Sequence, residues 1–268
     1  MIRKYITRLF NSIAGYKILQ PAFELLFKIG LSGMNYGNGG SPESSGEVAT
    51  IRYIRKITKN ERPVVFDVGA NIGQYCQKLL HALPPNWSIY SFEPSKATFA
   101  ILRDRIREPR VQLQNMGLGE QNGTLTLYHY HDRSSLASVF KRDLTHYQID
   151  QTEKEEITIE TIDRFCEAHQ ITFIDFLKLD IEGNELATLK GARQMLENKN
   201  IGAIQFEFGG TNIDSRTNFR DFWNLLHENY NLYRILKDGL AHIPSYNEMR
   251  EIYMNINYLA IKKGSPTA

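Results

Sequence analysis

Asp67-Val-Gly69-Ala-Asn71-Ile-Gly73 sets two glycines among two short polar side chains, directly after an apolar run that begins at Val64. Glycines at a strand-to-helix turn let a ligand approach the backbone closely, while Asp67 and Asn71 supply polar contacts beside the exposed amides of the helix start. The spacing is Gly-x-x-x-Gly, not the Gly-x-Gly-x-x-Gly that rests a pyrophosphate on a helix terminus, so a dinucleotide is disfavoured. Glu93 closes the next apolar run, where a carboxylate accepts hydrogen bonds from both hydroxyls of a ribose. Its other reading is a carboxylate favoured by the electrostatics of the helix that starts at Pro94. The pairing of Glu93 with the glycine turn points to nucleoside binding. Three further carboxylates, Asp180, Glu182 and Glu207, stand at or just beyond the ends of later apolar runs, where a general base or a hard-cation ligand would be useful.

These residues need a scaffold, and the apolar pattern supplies one. Strand-like runs at 64–69, 87–94, 111–117, 173–180 and 201–208 alternate with helical patterns, the signature of a parallel sheet wrapped by helices. Runs at 125–130 and 155–162 alternate polar and apolar residues and read as an inserted antiparallel pair. Two closing runs, Asn-Leu-Tyr-Arg-Ile-Leu-Lys and Ile-Asn-Tyr-Leu-Ala-Ile-Lys-Lys, have no helical pattern between them and predict a hairpin with an antiparallel last strand. The expected fold is therefore α/β: a three-layer, Rossmann-like sheet over residues 46–268. Residues 1–45 precede it as a helical extension and a Gly/Ser-rich lid or linker.

In this order, Asp-Val-Gly-Ala-Asn-Ile-Gly, Phe-Glu-Pro, Leu-Lys-Leu-Asp180-Ile-Glu182-Gly-Asn-Glu185 followed by Leu-Lys-Gly191-Ala, and Gln-Phe-Glu207-Phe resemble the FkbM-type S-adenosylmethionine-dependent methyltransferases. The likeness runs from about Val64 to Lys262, and its most specific block is the one around Asp180. Met34 to Glu47 also resembles the approach segment of glycan-modifying members. The resemblance implies a class I methyltransferase sheet and O-methylation of a sugar, glycan or polyketide-like natural product. It also implies a donor pocket in which Asp67, Gly69, Asn71 and Gly73 line the methionine and ribose side and Glu93 holds the ribose hydroxyls. Met116, Gly117 and Leu118 would border the adenine. Asn115-Met116 stands where many methyltransferases carry an acidic residue, so backbone groups would have to serve there.

On this reading Asp180 and Glu207 project toward the edge where methyl group and acceptor meet. Either Asp180 or Glu182 acts as base on the acceptor hydroxyl, or Asp180 and Glu207 hold magnesium with the acceptor oxygen. Glu185 is assigned to stabilising a helix start. His129 and His131 share a strand face and could bind a metal or act as a base, but a solvent-facing strand end is the simpler reading. The inserted loop with Ser134, Ser135 and Ser138 is a candidate wall of the acceptor pocket.

Composition narrows the alternatives. The 268 residues are 42% hydrophobic and 23% charged with net charge +2, which suits a packed domain and argues against DNA as a partner. The two cysteines, Cys76 and Cys166, are too few for a disulfide framework, and a reducing, cytoplasmic setting is expected. Ile2, Tyr5, Ile6, Leu9, Phe10 and Ile13 form one helical face beside Arg3, Lys4 and Arg8. That face is expected to pack on the body or across a homodimer interface, with a peripheral membrane contact as the alternative. The rival functions are methylation of protein or RNA, a nicotinamide-dependent oxidoreductase, and a non-catalytic nucleoside-binding module.

Overall fold

The computed structural model describes residues 13–37, 45–130, 136–145, 148–149 and 151–265. Helix α1 (Gln20–Gly33) begins at Pro21, whose fixed φ suits a first turn, and α2 is Glu47–Ile57. The body continues through β1 (Val64–Val68), α3 (Gln74–Ala82), β2 (Ser88–Phe92), α4 (Lys96–Arg105), β3 (Val111–Gln114), β4 (Gly117–Leu118), β5 (Gly123–Tyr130) and β6 (Gln151–Glu160). It then runs through α5 (Ile162–Ala168), β7 (Ile174–Leu179), α6 (Glu185–Lys190), α7 (Arg193–Glu197), β8 (Ile201–Phe208), α8 (Thr211–Asp214) and α9 (Phe219–Leu226). The closing strands are β9 (Tyr230–Leu236), β10 (Gly239–Ile243) and β11 (Ile256–Lys262).

The main sheet has the order β10-β9-β11-β8-β7-β1-β2-β3. β8, β7, β1, β2 and β3 run parallel to one another, while β11 inserts antiparallel between β8 and β9. Chain order reverses between β1 and β7, which opens a crevice above their carboxyl ends, the usual ligand position in such sheets. Side chains alternate across the sheet and build two cores. Phe66, Leu177, Phe206 and Tyr258 face α5, α6, α7 and α9, while Val65, Phe176, Ala203 and Leu259 face α2, α3 and α4. This is the three-layer class I methyltransferase-like architecture, with the antiparallel strand where expected.

Three departures have local causes. The third run ends at Gln114 rather than 117, because Asn115 turns its amide back to the carbonyls of Glu93 and Pro94, at 3.0 and 3.1 Å. Gly117-Leu118 then pairs with β6, so the inserted antiparallel pair becomes a three-stranded sheet, β4-β6-β5. The closing hairpin is β9 with β10, not β9 with β11; β11 reaches its place after a connection of its own. Tyr16, Leu19, Phe23, Leu26 and Phe27 also recur at helical spacing, but that face is not buried on the body: in α1 Leu31 alone is buried. Residues 1–12, 38–44, His131, Ser134 and Ser135 lie outside the described residues.

Candidate active site

The glycine turn hangs from the end of β2. Gly69 and Ala70 both donate to the Phe92 carbonyl, at 3.0 and 2.9 Å. Gly69 has φ +78°, and a Cβ there would run into the Asp180 carbonyl, so the turn holds glycine for two independent reasons. Asn71, with φ 48°, donates its amide to Glu93 Oε2 at 2.9 Å, and Ser95 donates its amide to Glu93 Oε1 at 3.0 Å. Glu93 thus holds Ser95, the cap of α4, and braces the glycine turn at once. Gly73 caps α3 at φ +88° but faces Leu102 and Ile106 of the neighbouring helix segment.

Behind the turn lies a buried charge group. Lys178 is in register with Asp67 in the pairing of β1 with β7. Its ammonium stands 3.4 Å from both Asp67 Oδ1 and Asp180 Oδ2, and 4.9 Å from the centre of the Tyr75 ring. Asp67 is wholly buried, and among the described residues neither of its carboxylate oxygens has a hydrogen-bond partner, so the ammonium of Lys178 is what balances its charge. Burial pushes the Asp67 carboxyl up, against the pull of Lys178.

The loop after β7 carries the other carboxylates. Glu185 accepts from the amides of Ile181 and Gly183, at 2.9 and 3.0 Å, so the first residue of α6 braces the loop that precedes it, whereas the role expected of it lies at the helix start itself. Glu182 sits at φ 52° and pairs with Arg142 Nη1 at 3.0 Å; Arg142 arrives from the inserted segment and also reaches Asp214. Asp180, Glu182 and Glu207 each present an oxygen within 4.8 Å of the others. Burial, then the charge of Asp180, pushes Glu182 up to about 8 and raises Glu207 well above the carboxylate range.

A cavity of about 380 Å³ joins these parts. Gly69, Asn71, Glu93, Gly117 and Leu118 line it, as do Asp180, Glu182 and Glu207. Its apolar wall is formed by Leu127, Leu136, Val139, Ile157 and Ile159, largely from the inserted sheet. Asp67, Gly73 and Met116 do not line it: Asp67 lies beneath Lys178, Gly73 packs on helical side chains, and Met116 packs against the core. His129 turns to Glu155 at 3.1 Å, away from the lining, whereas Ser138 donates to the Glu182 carbonyl at 2.7 Å. Cys76 and Cys166 are buried free thiols, pushed by burial up to about 12. Sequence reasoning missed Lys178, although a lysine inside a buried apolar run requires a counter-charge. It also missed Arg142, which no local signal marks.

Burial pushes Glu93 and Glu185 up from 4.5 to about 7, opposed by the amides each accepts from. A carboxyl raised in the folded state contributes stability that is complete below its unfolded value and lost as pH rises through its folded value. The melting temperature of the ligand-free protein is therefore expected to fall between pH 4.5 and about 7. Scanning calorimetry across that window checks this, and Glu93→Gln should flatten the slope.

Residues 67–235 match the methyltransferase FkbM domain. No curated protein matches the chain. Among solved structures, it is similar to an S-adenosylmethionine-dependent O-methyltransferase from Thermotoga maritima, with 12% identity over 83% of this chain and 66% of that one, TM-score 0.42. An rRNA methylase from Streptococcus thermophilus aligns with 10% identity over 80% of this chain and 94% of that one, TM-score 0.41. Fibrillarin from Aeropyrum pernix, solved with natively bound S-adenosylmethionine, aligns with 12% identity over 81% and 76%, TM-score 0.42. Since the FkbM match spans more than half of the chain and includes the glycine turn, Glu93 and the carboxylate loop, the chain belongs to the FkbM methyltransferase family and is an S-adenosylmethionine-dependent methyltransferase.

Proposed function

We propose that the enzyme methylates a hydroxyl oxygen on a sugar, glycan or polyketide-like natural product. The observation that carries this reading is the meeting of Asp180, Glu182 and Glu207 in the cavity that also holds the glycine turn. A carboxylate accepts hydrogen bonds and a carboxylic acid both donates and accepts, so a cluster in which burial favours the protonated forms of Glu182 and Glu207 suits an acceptor rich in hydroxyls, while Asp180 provides a site for the proton that the reacting hydroxyl must lose. The residues present also suit the donor: a turn without side chains at Gly69, a carboxylate at Glu93 for ribose hydroxyls, and apolar flanks at Leu118 and Ile157.

S-adenosylmethionine supplies a methyl group on a sulfonium that is already a good leaving group. The protein's task is then chiefly alignment. Glu93, braced by the Asn71 amide, fixes the nucleoside end, while Gly117 and Leu118 border the base. Asp180 Oδ takes the acceptor proton, and Lys178 and the Val68 carbonyl, which accepts the Asp180 amide at 3.2 Å, hold that residue in place. Leu127, Leu136 and Val139 keep water from the reacting atoms.

A second reading adds magnesium. Three carboxylate oxygens within 4.8 Å form the hard-oxygen donor set that such a cation takes, and it would lower the pKa of an acceptor oxygen. Against it, Lys178 and Arg142 already pair with Asp180 and Glu182, which leaves Glu207 to be neutralised by a proton.

The test is methyl transfer to panels of sugar and natural-product hydroxyls, protein and RNA, each with and without EDTA. Transfer to hydroxyls that survives chelation supports the first reading, loss on chelation supports the second, and transfer to protein or RNA alone overturns both. Glu93→Ala removes the carboxylate that receives the ribose. It is expected to weaken S-adenosylhomocysteine binding by about 10- to 100-fold, the worth of one or two charged hydrogen bonds, as read by calorimetry.

A further inference from the structure

We propose that α1 and the 3-10 turn before it, Lys17–Leu19, form a docking element for an anionic lipid bilayer. Leu25, Leu26, Phe27 and Ile29 are 55–63% exposed, and Ile18 ahead of them is 86% exposed. At about 100° per residue, Leu25, Ile29, Leu26, Phe23 and Phe27 sweep roughly 200° of the helix circumference, and Glu24 and Lys28 lie in the remaining arc of roughly 160°. Among the described residues the helix is held at its C-terminal end. Leu31 is its single buried residue, and beyond it Tyr36 is buried against Tyr258 and stacks on Arg234.

A 14-residue helix with its apolar face in water is marginal, so a covering surface is required. Charge selects which. The first thirty residues carry Arg3, Lys4, Arg8, Lys17 and Lys28 against Glu24 alone, a surplus greater than the +2 of the whole chain. A second copy would set that cationic segment against its like, whereas anionic headgroups complement it. The breadth of the apolar arc also suits immersion in an acyl boundary better than a helix-pair seam, with Tyr16 and the lysine stems spanning the interface. Among the described residues no helix is long and apolar enough to cross a membrane, so α1 would lie in the surface. Gly37, just after α1, donates to the carbonyl of Asn255, a cavity-lining residue, at 3.0 Å. Docking would therefore hold the cavity close to the bilayer.

The experiment is flotation of the full chain with vesicles of phosphatidylcholine alone or of equimolar phosphatidylcholine and phosphatidylglycerol, at low and high salt. The expected result is flotation with the anionic vesicles only, reversed by salt. Leu26→Gln with Phe27→Gln, and separately Lys17→Gln with Lys28→Gln, should each lower the bound fraction about tenfold while leaving S-adenosylhomocysteine affinity unchanged. Failure of the folded, nucleoside-binding protein to float overturns the proposal. So does flotation that neither pair reduces, or a solution dimer that the Leu26/Phe27 pair converts to monomer without any vesicle binding. Flotation by a protein that binds no S-adenosylhomocysteine would sustain the lipid surface and count against the donor pocket instead.

Discussion

Asp180→Asn is expected to lower turnover by about 10²- to 10⁴-fold while S-adenosylhomocysteine binds within about twofold of wild type. The residue stands at the end of β7, its amide held by Val68 and one carboxylate oxygen 3.4 Å from Lys178, with the side chain partly open to the cavity. Asparagine keeps that shape and loses the ability to take a proton. A fall in turnover without a fall in donor affinity separates proton removal from pocket assembly. Unchanged turnover would take Asp180 out of the mechanism and shift the role to Glu182, its neighbour across the cluster.

Lys178→Met is expected to cost about 3–5 kcal/mol of stability and to lower the melting temperature by on the order of 10 °C, because it strands a wholly buried carboxylate. Among the described residues Lys178 is the cation paired with Asp67, whose oxygens have no hydrogen-bond partner there, so in the variant its charge must be given up or left uncompensated. The double variant Lys178→Met with Asp67→Asn should recover most of the loss, since replacing both members of a buried pair is far cheaper than removing one. Thermal unfolding of the four proteins in that cycle checks it. Additive losses would show that Lys178 acts through packing on Tyr75 rather than through Asp67.

The parts of the fold that were legible in the sequence are those set by local pattern. Predominantly apolar runs marked β1, β2, β7 and β8 because strands buried on both faces carry apolar side chains at most positions; Ile174–Leu179 is buried throughout, with Asp175 and Lys178 as its polar exceptions. The turn at Gly69 and the carboxylates at strand ends followed from the same pattern. β10 did not, since Gly239–Ile243 is short, half-exposed and without alternation, and its pairing with β9 marks it better than its composition. The bend at Asn115 rests on a side-chain amide reaching carbonyls some twenty residues back, which no window of sequence displays.

The site divides in the same way. Glu93, Asp180 and Glu207 were readable as carboxylates at the crevice edge, yet their surroundings are assembled from distant chain. Arg142 reaches Glu182 from the inserted segment, and Lys178 meets Asp67 through strand register. Asp67 and Gly73 belong to the motif but serve it from outside the cavity, one as buried counter-charge and the other as the cap of α3. Motif spacing therefore identified the turn as a unit without separating the residues that face a ligand from those that hold the turn in shape.

The most direct test of the account is calorimetric titration of the purified chain with S-adenosylhomocysteine, with NAD as the control ligand and Glu93→Ala as the control protein. The account predicts binding of S-adenosylhomocysteine at a single site, weakened in Glu93→Ala, and no binding of NAD. A folded protein that ignores S-adenosylhomocysteine, or binds NAD in its place, would contradict it.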